Sequence, residues 1–220
     1  MNPSSWMPPV AWSLSHAQTV IEAAATVAFA ASGLLEAARK RLDVVGVCVV
    51  AGLAAFGGGT LRDVLLDRRP FFWVAHANWL WVLLVACVAA MWLLRARHVP
   101  ITQRAMQWPD ALGLGLFSAS GTQIALQMSL PPLVAVLMGV VTAVCGGMLR
   151  DIVINEIPTA LYDRRPYAVC AFAGGWVLVG LNHLRMDDAW ALPLAAATAT
   201  LLRVAGMLTE VRLPSWREDL

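Results

Sequence analysis

Charge is scarce in this 220-residue chain: Asp, Glu, Lys and Arg make up 14% of it, against 59% hydrophobic residues. A water-soluble domain carries roughly 25% charged residues, so no soluble surface can be assembled and a soluble enzyme is excluded. No Lys or Arg precedes Arg39. The basic start of a cleaved signal peptide is therefore missing, and the first apolar segment is expected to stay in the protein. Cysteine is limited to Cys48, Cys87, Cys145 and Cys170, all inside apolar stretches and without metal-ligand spacing; they read as inert buried thiols. His16, His76, His98 and His183 share no spacing, so neither a metal site nor a cofactor is expected, and no nucleophile–base pair is visible. A net charge of +2, with basic residues in twos and threes, excludes a nucleic-acid-binding face.

Uncharged sequence is plentiful. Ala111 to Leu149 is 39 residues without Asp, Glu, Lys or Arg, Pro70 to Leu94 is 25, and Val44 to Leu61 is 18. A bilayer core takes about 20 apolar residues per helix, so the expected class is an all-α membrane protein surrounded by lipid. Seven spans are predicted, at Ala17–Ala38, Val44–Leu66, Asn78–Leu94, Asp110–Met128, Leu133–Ile154, Tyr167–Leu184 and Ala189–Leu208. Ser129-Leu130-Pro131-Pro132 divides the longest uncharged stretch, because consecutive prolines lack amide donors and force the preceding residue out of the helical region. With the N-terminus outside, twelve of the 16 Lys and Arg residues fall in inner segments, and only Arg62, Arg68, Arg69 and Arg185 fall outside. That excess predicts an N-out, C-in topology. Trp12, Trp73, Trp79, Trp108 and Trp190 lie near span ends, whereas Trp92 and Trp176 read as packing.

The chain also matches itself at an offset of 88 residues. Across 29–70 against 117–158, 13 of 42 positions are identical, among them Ala31-Ser32-Gly33 with Ala119-Ser120-Gly121 and Gly58-Gly59 with Gly146-Gly147. Leu61-Arg62-Asp63 likewise falls on Leu149-Arg150-Asp151, and Pro70 on Pro158. Three spans per copy is an odd number, so the second copy enters the membrane from the opposite side, an inverted repeat. The predicted organisation is an extracytoplasmic segment (1–16), a first three-helix repeat (17–95), a cytoplasmic linker (96–109) and a second repeat (110–185). A seventh helix (189–208) and a cytoplasmic tail (209–220) complete it.

Glycine costs about 1 kcal/mol relative to alanine inside a helix, so Gly57-Gly58-Gly59 and Gly146-Gly147 are deliberate weak points. Two readings stand side by side. Small residues let transmembrane helices approach closely; alternatively, a kink or break frees carbonyls and amides to form a site near the midplane. Sequence neighbours do not face one another on a helix, so symmetry predicts that Arg62 pairs with Asp151 and Arg150 with Asp63. Intramembrane charge is expensive and usually functional, which makes these four residues the centre of the expected mechanism. Ser32, Thr60, Ser120 and Gln123 are possible pore-lining groups, while Glu22 and Glu36 read as interfacial.

The sequence Gly57-Gly58-Gly59-Thr60-Leu61-Arg62-Asp63 and its echo Gly146-Gly147-Met148-Leu149-Arg150-Asp151 resemble the signature of the bacterial trimeric intracellular cation channels. The same group is also known as a predicted glycine-transporter domain. The resemblance implies a homotrimer of seven-helix protomers in the bacterial inner membrane, each with its own pore for potassium and, less selectively, sodium. It also implies kinked second and fifth helices lining that pore. By motif position the pore and gating candidates are Gly57, Gly58, Gly59, Arg62 and Asp63, with Gly146, Gly147, Arg150 and Asp151. Cys145 stands where the first glycine of the second motif is expected, a departure from the pattern that makes the fifth helix harder to break. A secondary transporter of a small zwitterion such as glycine is the alternative.

Overall fold

The computed structural model describes residues 15–97, 103–209 and 212–213, and the regular structure among them is entirely helical. In chain order the helices are α1 (His16–Arg39), α2 (Val44–Leu65), α3 (Phe72–Ala75), α4 (Asn78–Arg97) and α5 (Gln103–Gln127). They continue with α6 (Pro132–Val153), α7 (Thr159–Tyr162), α8 (Ala168–His183) and α9 (Asp188–Thr209). The sequence reading anticipates the seven long helices to within a few residues and misses the single turns α3 and α7. It also starts α5 seven residues late, at Asp110, because Pro109 looks like a boundary; the helix runs through Pro109, and buried Met106 anchors its first turns. Trp12, His98 and Arg217 lie outside the described residues.

Local chemistry sets the helix ends. Ser15 caps α1 by accepting from the Gln18 amide at 3.2 Å, and Asp43 caps α2 by accepting from Gly46 at 2.8 Å, each satisfying one otherwise unpaired donor. The C-terminal ends repeat at the 88-residue offset. Arg41 and Ser129 both turn left-handed (φ 54° and 60°), with Leu42 N–H donating to Ala37 and Leu130 N–H to Ala125. After α2 and α6, Asp67 and Asn155 do the same (φ 47° and 57°), with Arg68 N–H bonded to Asp63 and Glu156 N–H to Asp151. These are the wrap-around bonds that close a helix C-terminus, here built without glycine.

By length and composition, α1, α2, α6 and α9 can cross a membrane; α4 and α8 carry shorter apolar stretches. The more polar α5 is the central helix. From Asp110 to Ala125 every residue except Leu112 is buried, because α1, α6, α8 and α9 all pack against it. Its Ser118, Ser120, Thr122 and Gln123 therefore meet protein rather than lipid. Related helices pack on one another, α1 on α5 and α2 on α6. At the α1–α5 contact the equivalent rings of Phe29 and Phe117 stack at 5.4 Å between centroids. At the periphery, α4 leans on α2 and α1 and turns Trp81 and Trp92 outward, 70% and 75% exposed. Trp92 is thus a surface residue rather than packing.

Candidate functional site: two buried arginine clusters

Arg62 and Arg150 each stand three residues before the end of their helix, and both are buried, at 0% and 1% exposed. Arg62 donates through Nε to Asp63 Oδ1 at 2.9 Å and through Nη2 to Glu22 Oε1 at 2.8 Å. Arg68 approaches the same Asp63 oxygen at 3.4 Å. Arg150 repeats the arrangement: Nε donates to Asp151 Oδ1 at 2.8 Å, and Nη1 to Asp110 Oδ1 at 2.9 Å. Glu22 and Asp110 are themselves 88 positions apart, so each arginine takes its own neighbour plus one equivalent carboxylate. An unpaired buried charge is far costlier than a paired one, and two acids per guanidinium meet that demand.

This geometry overturns the predicted exchange, Arg62 with Asp151 and Arg150 with Asp63. The guanidinium stem is long enough to fold back on its own helix, so the neighbour rule does not hold for an arginine beside an aspartate. Glu22 and Glu36 are buried within the protein, at 1% and 2% exposed. Arg203, read in the sequence as an inner-segment charge, is 1% exposed within α9.

The second cluster extends further than the first. Arg150 Nη1 also donates to Ser32 Oγ at 2.5 Å, and the Tyr167 hydroxyl donates to Asp110 Oδ2 at 2.7 Å. Asp151 Oδ2 accepts from the Thr159 amide at 2.9 Å and its hydroxyl at 3.1 Å, so the single turn α7 exists where it holds this carboxylate. Arg203 lies 4.8 Å over the Tyr167 ring, donates to the Pro166 carbonyl at 3.2 Å and reaches Asp163 at 3.6 Å. Through Tyr167 the helix outside the repeats touches the Arg150 cluster. A lone arginine in the apolar run from Trp190 to Leu208 was the available sequence signal.

A cavity of about 450 Å³ opens beside this second cluster, lined by Glu36, Arg39, Asp151, Glu156, Asp163 and Arg165 among others. Acids outnumber bases on its wall. Glu156 also meets Lys40 and Arg39, and the Lys40 ammonium holds its carboxyl below the ordinary carboxylate range. Beside the first cluster lies a pocket of about 10 Å³, between Glu22, Thr26, Gly59, Thr60, Trp73 and Phe117 and their neighbours. There Thr60 donates to the Phe56 carbonyl and accepts from Trp73 Nε1 at 3.1 Å. Gln123 lies elsewhere, joining α5 to Asn182 (2.7 Å) and Asp188 (2.8 Å).

The glycines do not break their helices: α2 and α6 are continuous through Gly57-Gly58-Gly59 and Gly146-Gly147, and Cys145 makes no difference in this respect. Their use is close approach. A Cβ on Gly58 would lie 2.0 Å from the Thr142 carbonyl oxygen, and one on Gly146 would lie 2.6 Å from that of Ala54. Equivalent glycines thus form the α2–α6 crossing. Gly59 and Gly147 instead face the guanidinium groups, whose Nη2 atoms would stand in ordinary contact with an added Cβ, at 3.8 and 3.7 Å. Gly57 faces the Leu149 side chain across the same crossing. Among the described residues no group of three or more His, Cys, Asp or Glu side chains is placed to hold a metal.

Two buried ion clusters inside a sheath of lipid-facing helices define a multi-pass membrane protein with a charged interior. The family model described as "Glycine transporter" matches the chain twice, over residues 19–95 and 107–183, and the chain belongs to that family. It is 34% identical over 197 residues to a UPF0126 membrane protein of Vibrio cholerae, covering 90% of this chain and 82% of that one. It is also 34% identical over 205 residues to the UPF0126 inner membrane protein YadS of Escherichia coli K12, covering 88% and 93%. Its fold is that of the bacterial TRIC channel structures. The trimeric intracellular cation channel orthologue from Rhodobacter sphaeroides superposes with a TM-score of 0.81 at 32% identity, over 90% of this chain and 100% of that one. A second TRIC cation channel superposes at 0.78 with 29% identity, over 92% and 98%. The chain is accordingly a multi-pass protein of the bacterial inner membrane.

Proposed function

We propose that this protein is not an enzyme but a passive channel for monovalent cations, potassium and less selectively sodium, with one path inside each protomer. The observation that carries the reading is the pair of buried arginine–carboxylate clusters beside an acid-rich cavity. All seven long helices cross the membrane in this reading, N-out and C-in, with the second repeat inverted relative to the first. The path runs between α1, α2, α5 and α6, and α2 and α6 line it at Gly57–Asp63 and Gly146–Asp151. Ser32, Thr60 and Ser120 lie along the same wall. Assembly as a homotrimer follows the TRIC relatives, which are described as trimeric.

Arginine repels cations, so Arg62 and Arg150 act as gates: each stays neutralised by its carboxylates while its guanidinium shifts between a position that obstructs the path and one that clears it. Arg62→Gln and Arg150→Gln are expected to change open probability or unitary conductance in planar bilayers. Wild-type currents from both would remove the gating role. The glycine-transporter description of the family favours a second reading, a carrier for a small zwitterion. Saturable, counterflow-competent glycine uptake into proteoliposomes, without unitary currents, would favour the carrier.

A further inference from the structure

The two clusters share their framework and differ in the bonds that surround it. Arg150 Nη1 donates to Ser32 Oγ at 2.5 Å. The equivalent pair, 88 positions away in each case, is Arg62 with Ser120. Arg62 Nη1 and Ser120 Oγ are both buried and both lack a hydrogen-bond partner among the described residues. Glu22 Oε2 and Asp63 Oδ2 are also buried without partners. Their counterparts are satisfied: Asp110 Oδ2 by the Tyr167 hydroxyl and Asp151 Oδ2 by Thr159. The second cluster is therefore latched and stands beside the 450 Å³ cavity, while the first is unlatched and stands beside the 10 Å³ pocket.

Repeats of one fold can each adopt the conformation that the other displays. We infer that Ser120 is the positioning residue of the gate: opening swings the Arg62 guanidinium so that Ser120 Oγ joins Glu22 and Asp63 as its acceptors, the arrangement Arg150 already holds with Ser32, Asp110 and Asp151. The first cluster then opens a mouth like that of the second. Unpartnered buried groups make the present state of the first cluster the easier one to leave. The inference deepens the channel reading and rests on it for its electrical readout.

The test is Ser120→Ala, which removes one buried oxygen and adds no bulk. A charge-assisted hydrogen bond made only in the open state shifts the gating equilibrium by about tenfold. Open probability is expected to fall by that factor. A second measurement needs no current. Thr60→Cys places a thiol in the first pocket, and its modification rate by a cationic methanethiosulfonate is taken relative to protein without that cysteine. Ser120→Ala is expected to slow this reaction about tenfold, whereas a core merely loosened by the substitution would speed it. An unchanged or faster rate overturns the latch. A wild-type protein that carries no current counts against the channel reading alone, because the thiol assay still decides the latch.

Discussion

Tyr167→Phe removes a single oxygen and separates two roles of one side chain. The hydroxyl donates to Asp110 Oδ2 at 2.7 Å, and both residues are buried, at 4% and 5% exposed. The ring remains beneath the Arg203 guanidinium, 4.8 Å from the centroid, so the cation–π contact and the buried apolar area are kept. The variant loses one hydrogen bond to an ionised acceptor, and Asp110 Oδ2 is left buried without that donor. Such bonds contribute about 1.5–3 kcal/mol, which is about 12- to 150-fold in an unfolding equilibrium. A loss of about 2 kcal/mol is expected, because the orphaned oxygen retains its desolvation penalty. Reversible unfolding in mixed detergent micelles, followed through the ten tryptophans, measures it. In an Asp110→Asn background the same substitution is expected to cost less than about 0.5 kcal/mol, the mark of a direct coupling. Wild-type stability of Tyr167→Phe, or an equal loss in both backgrounds, would refute the reasoning.

The glycines give a contrast within one motif. Gly58→Ala drives a Cβ to 2.0 Å from a backbone oxygen, so a loss of about 1–3 kcal/mol or more is expected in thermal unfolding. Gly59→Ala meets nothing closer than 3.8 Å and is expected to hold or raise stability by up to about 1 kcal/mol; equal losses from the two would contradict the crossing. Glu156 gives a pH test. Its carboxyl is lowered from an ordinary 4.5, first by the hydrogen bond from Lys40. The stabilisation is therefore complete above that ordinary value and disappears as pH falls through the lowered one. Glu156→Gln is expected to unfold at a lower temperature than wild type at neutral pH and to converge with it as the pH falls through the lowered value, below the ordinary 4.5.

Hydropathy and proline placed the long helices because lipid imposes a length and a composition on each of them. It was blind to α3 and α7, single turns whose reason is tertiary: α7 positions Thr159 to hold Asp151. The Arg62 and Arg150 sites were legible as a doubled motif, but their partners were not. Glu22 and Asp110 lie seven residues upstream of Phe29 and Phe117, before the matched window, and an acid replacing an acid leaves no identity to find. Symmetry alone favoured an exchange between repeats. The fold instead joins each arginine to its own helix and to the first helix of its own repeat. The glycines offered packing or breakage, and only the distance from Gly58 to Thr142 decides for packing. Arg203 falls among the inner charges in the sequence because a charge tally carries no depth, whereas the fold buries it within α9.

A single-channel recording of the purified protein in a planar bilayer, with potassium on one side and sodium on the other, tests the central claim most directly. A passive cation channel gives unitary currents whose reversal potential favours potassium over sodium, with open probability altered in Arg62→Gln and Arg150→Gln. An electrically silent bilayer, from protein that catalyses saturable glycine counterflow in liposomes, would contradict it.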